Sequence, residues 1–196
     1  MTSMRPLPVR SSVLAVLVFA ACQGAAADRG PDPSPAAVDP RLAVAPLPYT
    51  AEQIREAHPS GTTMRFRVTQ PNGTGVQSMQ FSDSDPIGVT VAMARVDASG
   101  ATTGKAVTTR STWRELQSHA AFPALQTRRE RSRCVVPAGD YACWHYTVSE
   151  TTADGRAVTS QYWFADRKPG PPVQLVRAVD GQEVYRMELV DYQRGR

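Results

Sequence analysis

The chain has 196 residues, of which 41% are hydrophobic and 20% are charged, and its formal net charge is +4. This balance is ordinary for a globular protein, and the length suits one domain with a hydrophobic core. The densest basic run, TRRERSR at 127–133, contains no aromatic residue and is typical of a solvated strand surface, so we predict no nucleic-acid partner. Contact of this run with anionic headgroups or another polyanion is the alternative.

Residues 1–21 have the layout of a bacterial export signal. Arg5 and Arg10 precede an uninterrupted apolar run at 13–21 that ends in small residues. This run is much shorter than the ~20 residues that a membrane-spanning helix needs. We therefore predict a signal peptide rather than a transmembrane anchor.

The end of this signal, VFAACQG, resembles the bacterial lipobox, in which an aliphatic residue and two small residues precede an invariant cysteine. Ala20 and Ala21 match that pattern, whereas Phe19 stands where leucine is usual. The resemblance implies that Cys22 carries lipid and begins the mature protein. Because Gln23 is not the aspartate that retains enterobacterial lipoproteins in the inner membrane, it also implies an outer-membrane anchor. The alternative is ordinary secretion with cleavage near the GAAA sequence that follows.

Residues 22–48, which begin at the lipid-anchor cysteine, are rich in alanine, aspartate and proline and contain few large apolar residues. Such a composition cannot bury enough apolar area to offset the loss of chain entropy, so we predict a disordered tether. At ~3.1 Å per residue, it could hold the domain up to about 80 Å from its anchor. We place the folded domain at 49–196.

Two short helices are predicted within this domain. In TAEQIREAH, Thr50 is a plausible N-cap and Gln53 has the spacing of a capping box. Thr112 and Glu115 have the same spacing in STWRELQSHAAF, which Pro123 stops. The apolar face of this second helix comprises Trp113, Leu116 and Ala120.

Almost all of the remaining sequence alternates between apolar and polar residues, as strands with one buried face do. In TTMRFRVTQ, for example, Met64, Phe66 and Val68 point to one side, and Arg65 and Arg67 point to the other. We predict an α+β fold with a large curved antiparallel sheet of about eight strands, a half-open β-barrel, and two short helices. Its apolar face must be covered by helices or by a ligand, unless the barrel is closed and filled by its own side chains.

The stretch RCVVPAGDYACWHY holds two of the three cysteines. In an exported protein paired cysteines are the rule, and lipidation of Cys22 leaves Cys134 and Cys143 as one pair. A two-residue turn at Ala138 and Gly139 pairs residues whose numbers sum to 277, which places the two cysteines directly opposite each other with Cα atoms ~4.5 Å apart. A type I turn with Gly139 left-handed, register 276, would place them on opposite faces. We predict the disulfide Cys134–Cys143.

The same stretch is the one place where catalysis is conceivable. Cys143 and His145 share a strand face, so a thiolate with His145 as base is the enzyme alternative, while Trp144 and Tyr146 are expected in the core. A zinc site would need further ligands that no second Cys/His pair provides. His58 and His119 are interpreted as surface residues. We predict no enzyme, no catalytic residue, no metal and no cofactor, since hydrolase, zinc-protease, phosphate-loop and calcium-loop motifs are missing from the sequence.

Several later motifs form a familiar order: a VPAGDY hairpin, an aromatic strand QYWFAD, a loop PGPPVQLV and a final DGQEVYRMELVDY. With the signal and the tether, they resemble the half-barrel superfamily of periplasmic lipoprotein-carrier and receptor proteins (LolA/LolB-like) and the bacterial lipoproteins related to it. The match covers mainly residues 136–192 and consists of strand and turn patterns. It implies an incomplete barrel whose concave face can hold acyl chains, and a lipidated member would be stationary, like a receptor.

These observations predict a non-enzymatic lipoprotein of the bacterial cell envelope whose curved sheet binds an apolar or lipid-like ligand or a partner protein. Its expected partners are the membrane, through the lipid anchor, an apolar ligand and envelope proteins. A structural or assembly lipoprotein with no small ligand is the alternative. An enzyme that uses Cys143 and His145 is a third hypothesis.

Overall fold

The computed structural model describes residues 43–97 and 99–196, which form one antiparallel sheet of nine strands with two short α-helices. The sheet and the helices are confirmed, and the strands number nine rather than about eight because each alternating run forms a strand of its own. The helices are α1 (Ala51–Ala57) and α2 (Trp113–Ser118), with a 3-10 turn at Ala124–Gln126. The strands are β1 (Thr63–Gln70), β2 (Gly73–Ser82), β3 (Gly88–Val96), β4 (Thr102–Thr112), β5 (Thr127–Val136), β6 (Gly139–Thr151), β7 (Ala157–Ala165), β8 (Gln174–Val179) and β9 (Gln182–Gln193).

The strand order is β4-β3-β2-β1-β9-β8-β7-β6-β5. The first and last strands pair at the middle of the sheet, from Thr63 opposite Gln193 to Thr69 opposite Arg186. All other pairs join strands that follow each other in the chain. The sheet is therefore two meanders joined through β1 and β9, and it is open, with β4 and β5 at its edges.

The register assigns the side chains to two faces, because directly opposite residues on neighbouring strands point to the same side of a sheet. One face carries the helices: the Tyr192 hydroxyl donates to the Ala57 carbonyl of α1 at 2.9 Å, and Tyr49 packs edge-on against Phe164. We call this the helix-bearing face, and the other the open face. The helix-bearing face contains the buried strand residues Met64, Phe66, Phe81, Tyr146, Phe164 and Leu189. The open face contains one row of directly opposed residues, Glu130, His145, Trp163, Gln174, Glu188 and Arg67.

Both helices begin at the predicted capping boxes. The Thr50 hydroxyl accepts a hydrogen bond from the Gln53 amide at 3.2 Å, and the Gln53 side chain accepts one from the Thr50 amide at 2.9 Å. Thr112 and Glu115 make the same reciprocal pair. α2 ends at Ser118, so its first turn is the main contribution of this helix to the core.

The packed chain extends upstream of Tyr49. Ala45 is buried and its amide donates to the Phe122 carbonyl at 2.9 Å, while the Tyr146 hydroxyl donates to the Pro46 carbonyl at 2.5 Å. Residues 43–48, which the sequence assigns to the tether, thus contact the sheet. The predicted signal peptide 1–21, Cys22 and the tether up to residue 42 lie outside the described residues.

The loop that follows β7 packs through Gly170 against His58, the residue that follows α1. This glycine has a φ of +135°, and a Cβ at this position would lie 2.4 Å from Cε1 of His58, whose ring packs on Phe81. No side chain fits there unless the imidazole moves. The loop therefore depends on a glycine at this position.

Gly170→Ala is expected to destabilise the protein by about 1–2 kcal/mol more than Gly155→Ala, because overpacking is added to backbone strain. Gly155 is the matched control, since its φ is +85° and no atom lies within 4 Å of its Cβ position. Urea unfolding of the full chain measures the difference. Equal losses in the two variants would show that the His58 contact does not limit this loop.

Candidate functional site

The helices cover only part of the helix-bearing face. Ile54 and Trp113 are buried against the core, and beneath this cover Phe66 and Leu189 are almost inaccessible to water. Around the cover, further apolar side chains of the same face are half-buried or exposed, and Val107 is 59% exposed. We call seven of them the apolar margin: Val68, Met79, Met93, Val107, Tyr162, Leu175 and Met187.

The register places the apolar margin in two rows. In the first, Met79 lies opposite Met93, and Met93 lies opposite Val107, so the row runs from β2 to the edge strand β4. The second row runs from β1 to β7 and comprises Val68, Met187, Leu175 and Tyr162.

The composition of the apolar margin suits an apolar ligand. Met79, Met93 and Met187 have unbranched, polarisable side chains that adapt to the shape of what they contact. All three pack against the core, so the half-buried surface is continuous with it. The alternation of apolar and polar residues predicted this face from the sequence. It predicted no ligand-binding residue, because the ends of the helices determine which part of the face they leave uncovered.

The β5–β6 hairpin has a register that we did not predict. Cys134 lies opposite Tyr141, so paired numbers sum to 275, and the 277 and 276 registers are both wrong. Pro137 and Ala138 form the turn. Pro137 suits a turn because it has a fixed φ and no N–H, and the Ala138 amide donates to the Leu189 carbonyl of β9 at 3.1 Å instead of joining the hairpin.

In this register Cys134 and Cys143 are diagonal neighbours on one face rather than direct partners. Both are buried, and both are free thiols in this structure. A hydrogen bond between the two thiols lowers the pKa of Cys134 and raises that of Cys143, which burial raises further. The Cys134 sulfur also contacts Oε1 of Gln174 at 3.2 Å. The pair is thus in contact, although the expected direct opposition is lost.

His145 does not pair with the Cys143 thiol, although the two share the strand face as predicted. Its Nδ1 lies 3.2 Å from Oε1 of Glu130, its Nε2 lies 3.2 Å from Oε1 of Gln161, and its ring stacks on Trp163. The Cys143 thiol instead points at a backbone carbonyl 3.6 Å away. The imidazole is therefore not placed to take a proton from the thiol.

Trp144 is partly buried and packs against the core, and its ring also lies between two arginines. Cζ of Arg129 is 3.4 Å and Cζ of Arg131 is 3.6 Å from the centroid of the indole ring. At these distances each side of the indole ring has room for one guanidinium group, so the two arginines lie on opposite sides of the ring. Arg131 also donates to both carboxylate oxygens of Asp166 at 2.6 Å. Tyr146 is fully buried, as predicted.

His58 is buried, whereas we interpreted it as a surface residue. It is 1% exposed, its Nδ1 lies 2.9 Å from the Ile54 carbonyl, and its ring packs on Phe81. Burial lowers the pKa of His58. The loop containing Gly170 covers the ring, which local sequence does not reveal. His119 is exposed, as predicted.

Within the described residues, no group of three or more His, Cys, Asp or Glu side chains is arranged to hold a metal ion. None of the helices in this part of the chain is long and apolar enough to cross a membrane.

No protein-family model and no curated protein matches the chain. It is similar to a solved structure from Bacteroides fragilis NCTC 9343, described as a candidate exported protein with a YmcC-like fold, over 70% of this chain and 97% of that one. The identity is 9% and the TM-score is 0.44. A likeness at this level supports no argument about export, ligand or activity.

The pKa of His58 predicts a pH dependence of stability. Because its folded pKa lies below the unfolded value of ~6.5, the unfolded chain takes up the proton first as the pH falls, so stability present at neutral pH is lost below about pH 6.5. Urea unfolding of the full chain is expected to show a lower free energy of unfolding at pH 5.0 than at pH 7.5. His58→Leu should reduce that difference, and His119→Gln should retain the part due to His58. An unchanged difference in His58→Leu would assign the effect to other groups.

Proposed function

We propose that this protein is a non-enzymatic lipoprotein of the bacterial envelope that binds an apolar, lipid-like ligand on its apolar margin. The observation that carries the proposal is the incomplete cover of the helix-bearing face, which leaves side chains such as Met93 and Val107 in contact with water. Removing apolar surface from water stabilises by about 25 cal/mol per Å². A ligand that completes the cover is therefore favoured.

The export signal and Cys22 support a location in the cell envelope, with a lipid anchor in the outer membrane. A half-open barrel is supported by the hydrogen bond between the Ala138 amide and the Leu189 carbonyl at 3.1 Å. The hairpin tip belongs to β5 and β6, and β6 is three strands from β9 in the sheet order. In a flat sheet that separation would be ~14 Å, so the contact implies a curled sheet.

We also propose that the exported chain carries a disulfide between Cys134 and Cys143. Their common face, the contact between the thiols and the oxidising compartment that the signal implies support it. Closure transfers two electrons and two protons from the thiols to a disulfide oxidant of that compartment. Diagonal neighbours have Cα atoms ~7–8 Å apart, so the hairpin must tighten when the bond forms.

Organic-solvent extraction of the full chain purified from the envelope, followed by mass spectrometry, is expected to release a noncovalently bound lipid. Acyl chains attached to Cys22 stay with the protein, so they do not confuse the result. Met93→Gln should lose much of the lipid because it places an amide in the apolar margin. Val96→Gln is the matched control, since Val96 lies on the open face of the same strand. Repeated absence of lipid from the wild-type protein would refute the proposed function.

Intact mass after alkylation without reductant tests the disulfide. No label on Cys134 or Cys143 is expected in the exported chain, and both should be labelled after reduction. Replacing either cysteine with serine should cost about 2–4 kcal/mol of unfolding free energy under oxidising conditions. Two labelled thiols before reduction would show that the pair stays reduced.

A further inference from the structure

Arg95, an arginine without an ion pair in the described part of the chain, borders the first row of the apolar margin. Arg95 lies two residues from Met93 on the same face of β3, opposite Gln77 of β2 and Thr103 of β4. These three residues form a polar row next to the row of Met79, Met93 and Val107. Rows two residues apart along a strand are separated by ~7 Å. An amphiphile whose chain lies on the apolar row can therefore place its headgroup on the polar row.

The charge of Arg95 is not neutralised by any carboxylate among residues 43–97 and 99–196. The first acidic residue beyond it, Asp97, is engaged in its own turn, where its carboxylate accepts two backbone amides at 2.9 and 3.0 Å. On the open face, by comparison, Arg67 lies 4.0 Å from Glu188. Arg95 is exposed and is therefore available to an anion from solution.

The opposite end of the apolar margin is less suited to an anion. Burial raises the pKa of Tyr162, and the charges of Glu150 and Arg177 shift it in opposite directions, so an acid and a base both lie near this ring. An anion at that end would meet the Glu150 carboxylate as well as the Arg177 guanidinium.

We propose that the apolar margin binds an amphiphile with an anionic headgroup, a phosphate or a carboxylate, which Arg95 and Gln77 hold while the chain lies along Met79, Met93 and Val107. This inference rests on the proposed function and adds the class of ligand. The Arg95 guanidinium donates to the anion in the planar arrangement that suits phosphate and carboxylate oxygens. The Gln77 amide supplies a further donor from the neighbouring strand.

Titration of the full chain with three amphiphiles of equal chain length, each below its critical micelle concentration, tests the inference. Dodecyl phosphate is expected to bind about fivefold more tightly than neutral dodecyl maltoside, the gain of one well-placed exposed ion pair, and dodecyltrimethylammonium should bind most weakly. Arg95→Gln should remove the preference for phosphate and leave dodecyl maltoside binding unchanged. Arg128→Gln is the matched control, because Arg128 is an exposed arginine of the open face.

The outcomes separate the headgroup from the site. Equal affinity for dodecyl phosphate and dodecyl maltoside would overturn the anionic headgroup and leave the proposed function standing, whereas failure of all three to bind would overturn both. If Arg128→Gln also lost the preference for dodecyl phosphate, that preference would be due to the overall charge of the protein rather than to Arg95. Inorganic phosphate alone should not compete at millimolar concentration, and competition would identify a free phosphate site instead of an amphiphile site.

Discussion

The apolar face of an open antiparallel sheet has to be kept from water, and the other features of this fold follow from how that is done. The cover consists of α1, α2 and the chain around Tyr49, all of them short. Buried tyrosines attach this cover by their hydroxyl groups: Tyr49 donates to the Ala165 carbonyl and Tyr146 to the Pro46 carbonyl, both at 2.5 Å. Each ring thus buries apolar surface while its polar tip ties a separate segment to the sheet.

Because the cover is short, it protects the middle of the face and leaves the apolar margin around it. Glu188 on the open face forms ion pairs with Arg67 and Arg186, whereas Arg95 on the helix-bearing face has no ion pair among the described residues. Apolar surface and an available cation therefore occur side by side on the face that the helices only partly cover. The amphiphile that we propose would contact both.

The hairpin that holds Cys134 and Cys143 illustrates how register changes chemistry. A shift of two in the sum of paired numbers keeps both cysteines on one face but turns direct partners into diagonal ones. It also leaves His145 engaged by Glu130 and Gln161 rather than by the thiol. The hairpin contributes to packing in two ways. Tyr146 enters the core, and the Ala138 amide in the turn donates to the Leu189 carbonyl of β9.

The sequence by itself determined what depends on near neighbours. The capping boxes at Thr50 and Thr112 act over three residues, and period-two alternation assigns Met64 and Phe66 to one face whatever their partners are. Tertiary structure alone decided what depends on distant groups. The hairpin register depends on Leu189, which takes the Ala138 amide, and the burial of His58 depends on Gly170, more than a hundred residues away. The apolar margin belongs to this second class, since burial of a residue such as Met93 is set by where a helix from another part of the chain ends.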